Sequence, residues 1–255
     1  MGLLSAINGL PLWRRSVRVG DAVFAASSFD RLVYLVLQKF GWMGGDERAF
    51  FTRHVRPGMR VVEAGANLGV FTLLLSKLVG AEGKVFAFEP DPALHAALLK
   101  TLARSGVTNV VPIPRALGAR TARLGLKTFG LNSGDNRLCE DPAETGATAV
   151  DVVTMDDALA GERIDFVKLD VQGWELEALR GMSRILTENP RVALFVEFWP
   201  YGLRRAGCAP VDLIAFLREN HFRLATDDGL LFSAEDAARW DDGSKKFTNI
   251  HATRD

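Results

Sequence analysis

The chain has 255 residues, 48% of them apolar, and its 31 basic and 31 acidic side chains cancel to zero formal charge. That length and apolar content suit one large α/β domain with a sizeable core rather than two full domains. Balanced charge without a basic stripe excludes nucleic acid as an expected partner. The two cysteines, Cys139 and Cys208, lie too far apart in sequence to suggest a zinc spacing or a disulfide framework, so a reduced, cytoplasmic setting is expected.

At the N-terminus, MGLLSAINGLPLWRR places Arg14 and Arg15 after its apolar stretch and shows no small-residue cleavage site, unlike an export signal. No apolar run approaches the about 20 residues of a membrane span; the longest is LVYLVL at 32–37. Residues 1–57 carry no βαβ pattern and are read as an N-terminal extension. Within it, 29–40 (FDRLVYLVLQKF) predicts a helix with Phe29, Leu32, Val33, Val36, Leu37 and Phe40 on one face. Such a helix suits packing on the main domain, a lid over a substrate pocket, or a homodimer contact. Trp13 with Arg14, Arg15 and Arg18 suits solvated surface, a peripheral membrane contact or an anionic substrate.

From 58 to 255 strands and helices alternate. RVVEAGA (60–66), KVFAFEP (84–90), VVPIPRA (110–116), IDFVKLDV (164–171), RVALFVEFW (191–199), FRLATD (222–227) and NIHATR (249–254) read as strands. VFTLLLSKLV (70–79), a segment from Pro90–Asp91 through Ala103, WELEALRGMSRIL (174–186) and VDLIAFLREN (211–220) read as helices. This predicts a doubly wound, mostly parallel seven-stranded α/β sheet. Two prolines mark 110–116 as a weak or edge strand. The polar stretch 127–150 interrupts the alternation and predicts a long loop or small hairpin. Asp156 and Asp157 are expected to begin a short helix.

The candidate site starts at VVEAGANLGVF, where Glu63, Gly65, Ala66, Asn67 and Gly69 fall at the end of the first strand and the following turn. In an open parallel sheet ligands bind there, at the switch point of strand order. A dinucleotide turn would want glycine at Asn67, and Glu63 would repel a polyphosphate, so a nicotinamide-dependent oxidoreductase is disfavoured. A ligand carrying ammonium and sulfonium charge suits this turn better. Glu89 ends the second strand, where a carboxylate accepts hydrogen bonds from both hydroxyls of a ribose. Asp91 is placed to cap the next helix. Asp170 and Glu197 end the fourth and fifth strands. They suit a general base or a pair of ligands for a divalent ion such as Mg²⁺. Otherwise Asp170 caps a helix and Glu197 forms a salt bridge with Lys168 or an arginine. Glu175 and Glu177 suit the positive end of a helix dipole. His54, His95, His221 and His251 form no metal pattern and read as structural or surface groups, with His54 the one to watch near the cofactor mouth. Asn132, Ser133, Asp135 and Asn136 are either turn residues or ligand contacts. The aromatics of WPYGLRR (199–205) suit an acceptor-side wall or a subunit contact.

VVEAGANLGVFTLLLS, VFAFEPDPALHAALL, TMDDAL and IDFVKLDVQGWELEALRGM, in that order, resemble the FkbM-type family of S-adenosylmethionine-dependent methyltransferases over roughly residues 60–200. The resemblance implies S-adenosylmethionine as cofactor, held by Glu63, Gly65, Ala66, Asn67, Gly69, Glu89 and Asp170. It also implies O-methylation of a small-molecule or glycan acceptor, such as a sugar or secondary metabolite. Two positions depart from the family: Glu63 stands where Asp is more frequent, and Gln172 stands where the DVEG motif has a glutamate. The second departure leaves open a non-catalytic binding protein, against which the retained Asp170 and Glu197 argue.

Overall fold

A computed structural model describes residues 16–19, 22–25, 45–129 and 135–254. The first described elements are a two-stranded hairpin, β1 (Ser16–Val19) and β2 (Ala22–Ala25), and a helix, α1 (Gly45–His54). The helix expected at 29–40, and Trp13, Arg14 and Arg15, lie outside the described residues.

The alternating pattern then resolves into β3 (Arg60–Ala64), α2 (Val70–Val79), β4 (Lys84–Phe88), α3 (Pro92–Arg104) and β5 (Val110–Ile113). A second run comprises β6 (Ala116–Leu117), β7 (Ala122–Lys127), β8 (Arg137–Cys139) and β9 (Ala147–Val153). The chain continues through α4 (Met155–Ala158), β10 (Phe166–Leu169), α5 (Glu175–Arg180), α6 (Ser183–Glu188) and β11 (Ala193–Phe198). It closes with α7 (Pro200–Arg205), α8 (Pro210–Glu219), β12 (Arg223–Ala225), α9 (Ala234–Trp240) and β13 (Thr248–Thr253).

The main sheet has seven strands in the order β12-β13-β11-β10-β3-β4-β5. β11, β10, β3, β4 and β5 run parallel, and β13 is antiparallel to both of its neighbours, so the sheet is mixed. β3, β10 and β11 are mostly apolar on both faces because helices cover both faces. Val62, Val167 and Val196 pack beneath α5, α6 and α8. Val61, Phe166 and Phe195 pack beneath Phe50 and Phe51 of α1 and Leu75 and Val79 of α2. From β3 the chain proceeds one way to β4 and β5, and from β10 the other way to β11. The crevice between the carboxyl ends of β3 and β10 is therefore the switch point.

Two expectations are corrected and a third is extended. The segment 110–116 splits at Pro114: β5 ends at Ile113 as the sheet edge, and Ala116–Leu117 joins a separate sheet. That sheet has the order β6-β9-β7-β8: β7 and β8 pair antiparallel as the hairpin alternative for 127–150 expected, and β9, from Ala147, adds a further strand that was not expected. Leu126, Val150 and Val152 are buried along it. The helix at 174–186 breaks at Gly181, where a β-carbon would lie 2.1 Å from the Gly118 carbonyl oxygen.

Candidate active site

The turn after β3 is shaped by its own backbone. Gly65 has φ +83, and a β-carbon there would lie 2.1 Å from the Asp170 carbonyl oxygen, so only glycine lets β3 and β10 end this close together. The N–H groups of Gly65 and Ala66 donate to the Phe88 carbonyl at 3.1 and 3.0 Å, tying the turn to β4. Asn67 is left-handed (φ 51), and its side-chain oxygen accepts from the Leu68 N–H at 2.7 Å. Gly69, also left-handed, starts α2 against Leu98.

Glu89 is buried just beyond β4. Its two oxygens accept the backbone N–H groups of Asn67 (2.8 Å) and Asp91 (2.9 Å), which fixes the carboxylate between the two turns. Burial pushes its pKa up to about 7 despite those bonds. Asp91 caps α3 as expected, accepting from Ala93 and Leu94, and its other oxygen receives the Asn136 amide at 3.2 Å. That last bond pins the small sheet to the end of β4.

Between these turns lies a cavity of about 190 Å³, lined by Gly65, Ala66, Asn67, Glu89 and Asp170 among the expected residues. Phe88, Leu94, Leu117, Leu126 and Leu138 give it apolar walls. Glu63 and Gly69 are not among the lining residues. Glu63 is fully buried within β3, accepts the Thr72 hydroxyl at 2.6 Å, and is pushed up to about 7 by burial, against the pull of Lys168.

The other half of the site stands on β10 and β11. Lys168 is buried, and its ammonium bonds Asp170 at 3.1 Å rather than Glu197. Burial opposes that charge, but Asp170 and Glu63 outweigh it and hold the Lys168 pKa above its ordinary value. The Gln172 amide nitrogen donates to both Asp170 Oδ1 (3.0 Å) and Glu197 Oε2 (3.1 Å). Glu197 is raised well above the usual carboxylate range, by burial first and then by Asp170. Asp170 does not cap α5. Glu175 takes that part of the turn instead, accepting the N–H groups of Val171 (3.0 Å) and Gly173 (3.2 Å).

A divalent ion would need oxygen ligands between Asp170 and Glu197, and the Gln172 N–H₂ occupies that position. Among the described residues no group of three carboxylate, imidazole or thiol side chains is placed to hold a metal. None of the four histidines lines the cavity; His54 instead stacks on Phe50, and His251 packs at a tilt against the same ring. Trp199 is buried, with its N–H on the Lys245 carbonyl at 3.1 Å, so it is not an exposed wall. Asn136 lines the cavity, whereas Asn132 and Ser133 lie outside the described residues. Sequence reasoning missed Arg115, Arg137 and Trp174, which also line it. Arg137 lay in a segment without readable periodicity, and Trp174 looked like ordinary helix core.

A mostly parallel sheet with its cavity at the switch point, a glycine turn unsuited to pyrophosphate and a carboxylate at the end of the second strand define an S-adenosylmethionine-type methyltransferase fold. The donor set fits the cofactor: Glu89 suits ribose hydroxyls, the apolar walls suit a flat base, and the Gly65–Asn67 turn admits a ligand close to the backbone. A family model described as the methyltransferase FkbM domain matches residues 63–224, and the chain belongs to that family. The 31-O-demethyl-FK506 methyltransferase FkbM of Streptomyces tacrolimicus is 28% identical over 218 residues, covering 72% of this chain and 81% of the relative. The hexuronic acid methyltransferase AglP of Haloferax volcanii is 25% identical over 161 residues, covering 62% of this chain and 60% of the relative. The chain spans 58% and 60% of the length of two of the relatives it matches. A solved Clostridium thermocellum structure, described as a candidate rRNA methylase, shares 13% identity and has a TM-score of 0.52 over 83% of this chain and 96% of that one. At that identity the likeness shows the fold alone.

Proposed function

We propose that the protein transfers a methyl group from S-adenosylmethionine to a hydroxyl of a small acceptor, a sugar, glycan or secondary metabolite. The observation that carries this reading is the placement of Asp170. It lines the cofactor cavity beside Gln172 and Trp174, and those two residues also line a second cavity that opens toward α7. An acceptor in the second cavity would meet the cofactor at this edge. The relatives' names support the acceptor class, since one includes a 31-O-demethyl compound and the other a hexuronic acid.

The cofactor supplies a methyl group already activated on a sulfonium. Glu89 and the Gly65–Asn67 turn bind it, and Glu63 acts from behind the wall by fixing Thr72 and facing Lys168. Orientation of the acceptor oxygen is the main contribution left to the protein, worth on the order of 7–11 kcal/mol in the best intramolecular cases. Asp170 takes the hydroxyl proton on a carboxylate oxygen. Lys168 and Gln172 hold that carboxylate in place. Glu197, buried and with its pKa raised by burial and then by Asp170, accepts the second hydrogen bond of the Gln172 amide and so fixes that amide against Asp170.

The test supplies deuteromethyl-labelled S-adenosylmethionine with a panel of hexuronosides, neutral hexosides and macrolides, read by mass spectrometry. The proposal expects label on an oxygen of one panel class, and loss of turnover in Asp170→Asn. Label on nitrogen, or full turnover by Asp170→Asn, would contradict it.

A further inference from the structure

The second cavity carries a charge pattern that the methyl-transfer reading does not use. It is lined by Lys127, Arg137 and Arg205, with Glu140 and Glu144, and it meets the cofactor cavity at Arg137, Leu138, Gln172 and Trp174. Lys127 is already neutralised by Glu144. Arg137 and Arg205 are not in an ion pair with a described carboxylate. Each guanidinium is held instead against aromatic faces: Arg137 over Phe129 at 4.4 Å, Arg205 over Trp199 at 5.0 Å and over Tyr201 at 5.3 Å.

Stacking of this kind fixes the plane of a guanidinium while leaving N–H edges free to bond. It costs the cation none of its charge. Burial lowers the Arg205 pKa, and the next largest influence on it is the Arg137 guanidinium, ahead of Tyr201 and Asp135. Two cations thus converge on one cavity, and both keep their charge because arginine does not deprotonate in proteins. Glu140 is exposed, and Asp135 acts on Arg205 less strongly than Arg137 does.

We propose that Arg137 and Arg205 form the subsite for an anionic group of the acceptor, so that the hydroxyl is methylated on a molecule also bearing a carboxylate or a phosphoryl group. The inference rests on the methyltransferase reading for its placement beside the transfer edge. A planar carboxylate or a phosphoryl group would bond the two guanidinium forks together, and the resulting hold would direct a nearby hydroxyl toward Asp170.

The experiment uses the full chain saturated with S-adenosylhomocysteine and labelled with ¹⁵N-arginine. D-Glucuronate, D-glucose 6-phosphate and D-glucose are titrated in turn, and the Arg137 and Arg205 side-chain N–H signals are followed. A saturable shift of both signals with glucuronate alone assigns a carboxylate acceptor; with the phosphate alone, a phosphoryl acceptor. In Arg205→Gln the affinity for the anionic sugar should fall about tenfold or more, with S-adenosylhomocysteine affinity unchanged, since Arg205 does not line the cofactor cavity. Equal responses to glucose and the charged sugars, or no response of either arginine to either anion, overturns the proposal. Failure to bind S-adenosylhomocysteine at all is a separate outcome, seen before any sugar is added, and counts against the methyltransferase reading.

Discussion

Gln172 holds the catalytic edge together by an unusual backbone and two hydrogen bonds. It is left-handed (φ 58), a conformation rarely kept by a residue with a side chain unless its surroundings demand it. In return, one amide nitrogen reaches both Asp170 and Glu197. Gln172→Glu would put a third carboxylate against two others, losing both bonds and adding repulsion. We expect a loss of about 2 kcal/mol or more in urea denaturation at pH 8, with Mg²⁺ restoring the variant and leaving the wild type unchanged. An equally stable variant that ignores Mg²⁺ would show that the amide bridge does not organise this edge. Gln172 was visible in the sequence only as a departure from the family's pattern. Its two partners come from β10 and β11, strand ends separated in sequence, so no local spacing could reveal the bridge. Lys168 was expected only as a partner for Glu197; its bond to Asp170 and its burial beneath the Phe71 ring of α2 depend on elements that meet only in the fold.

At the scale of elements, the strands of the main sheet were readable and those of the small sheet largely were not. β3, β4, β10 and β11 are near-continuous apolar runs, broken by Glu63, Lys168 and Glu197, because helices cover them on both sides. β7, β8 and β9 are half-exposed and pair with one another across polar stretches, so their composition resembles a loop. The α1 helix, on the 1–57 side of the expected boundary, belongs to the packing of the domain. Phe51 is fully buried, 4.8 Å from the Phe195 ring and edge-on to Phe71 at 5.5 Å. Phe51→Ala should destabilise the whole chain by about 3–5 kcal/mol, seen as one cooperative urea transition moved to lower midpoint. A wild-type midpoint with a separate early transition would instead make α1 an independent flap.

The molecule as a whole buries several carboxyl groups whose folded-state pKa values lie above the ordinary 4.5: Glu63, Glu89 and Glu175 reach about 7, each chiefly through burial, and Glu197 is also raised. Because the folded state binds these protons more tightly, the stabilisation they confer is complete below about pH 4.5 and is lost as pH rises through 7. Stability of the cofactor-free protein should therefore fall between about pH 4.5 and 7, by about 1–3 kcal/mol for each of Glu63, Glu89 and Glu175. Glu63→Gln, which mimics the protonated acid beside Thr72, should flatten that slope. An unchanged slope would mean that Glu63 titrates at its ordinary value. No helix among the described residues is long and apolar enough to cross a membrane.

The central claim is that this cavity holds the methyltransferase cofactor with Glu89 on its ribose, and calorimetric titration with S-adenosylhomocysteine tests it most directly, with NADH as control. The account predicts micromolar binding of the thioether, no binding of NADH, and affinity weakened about 10- to 100-fold in Glu89→Gln. Absence of heat with S-adenosylhomocysteine at saturating concentration, or binding of NADH in its place, would contradict it.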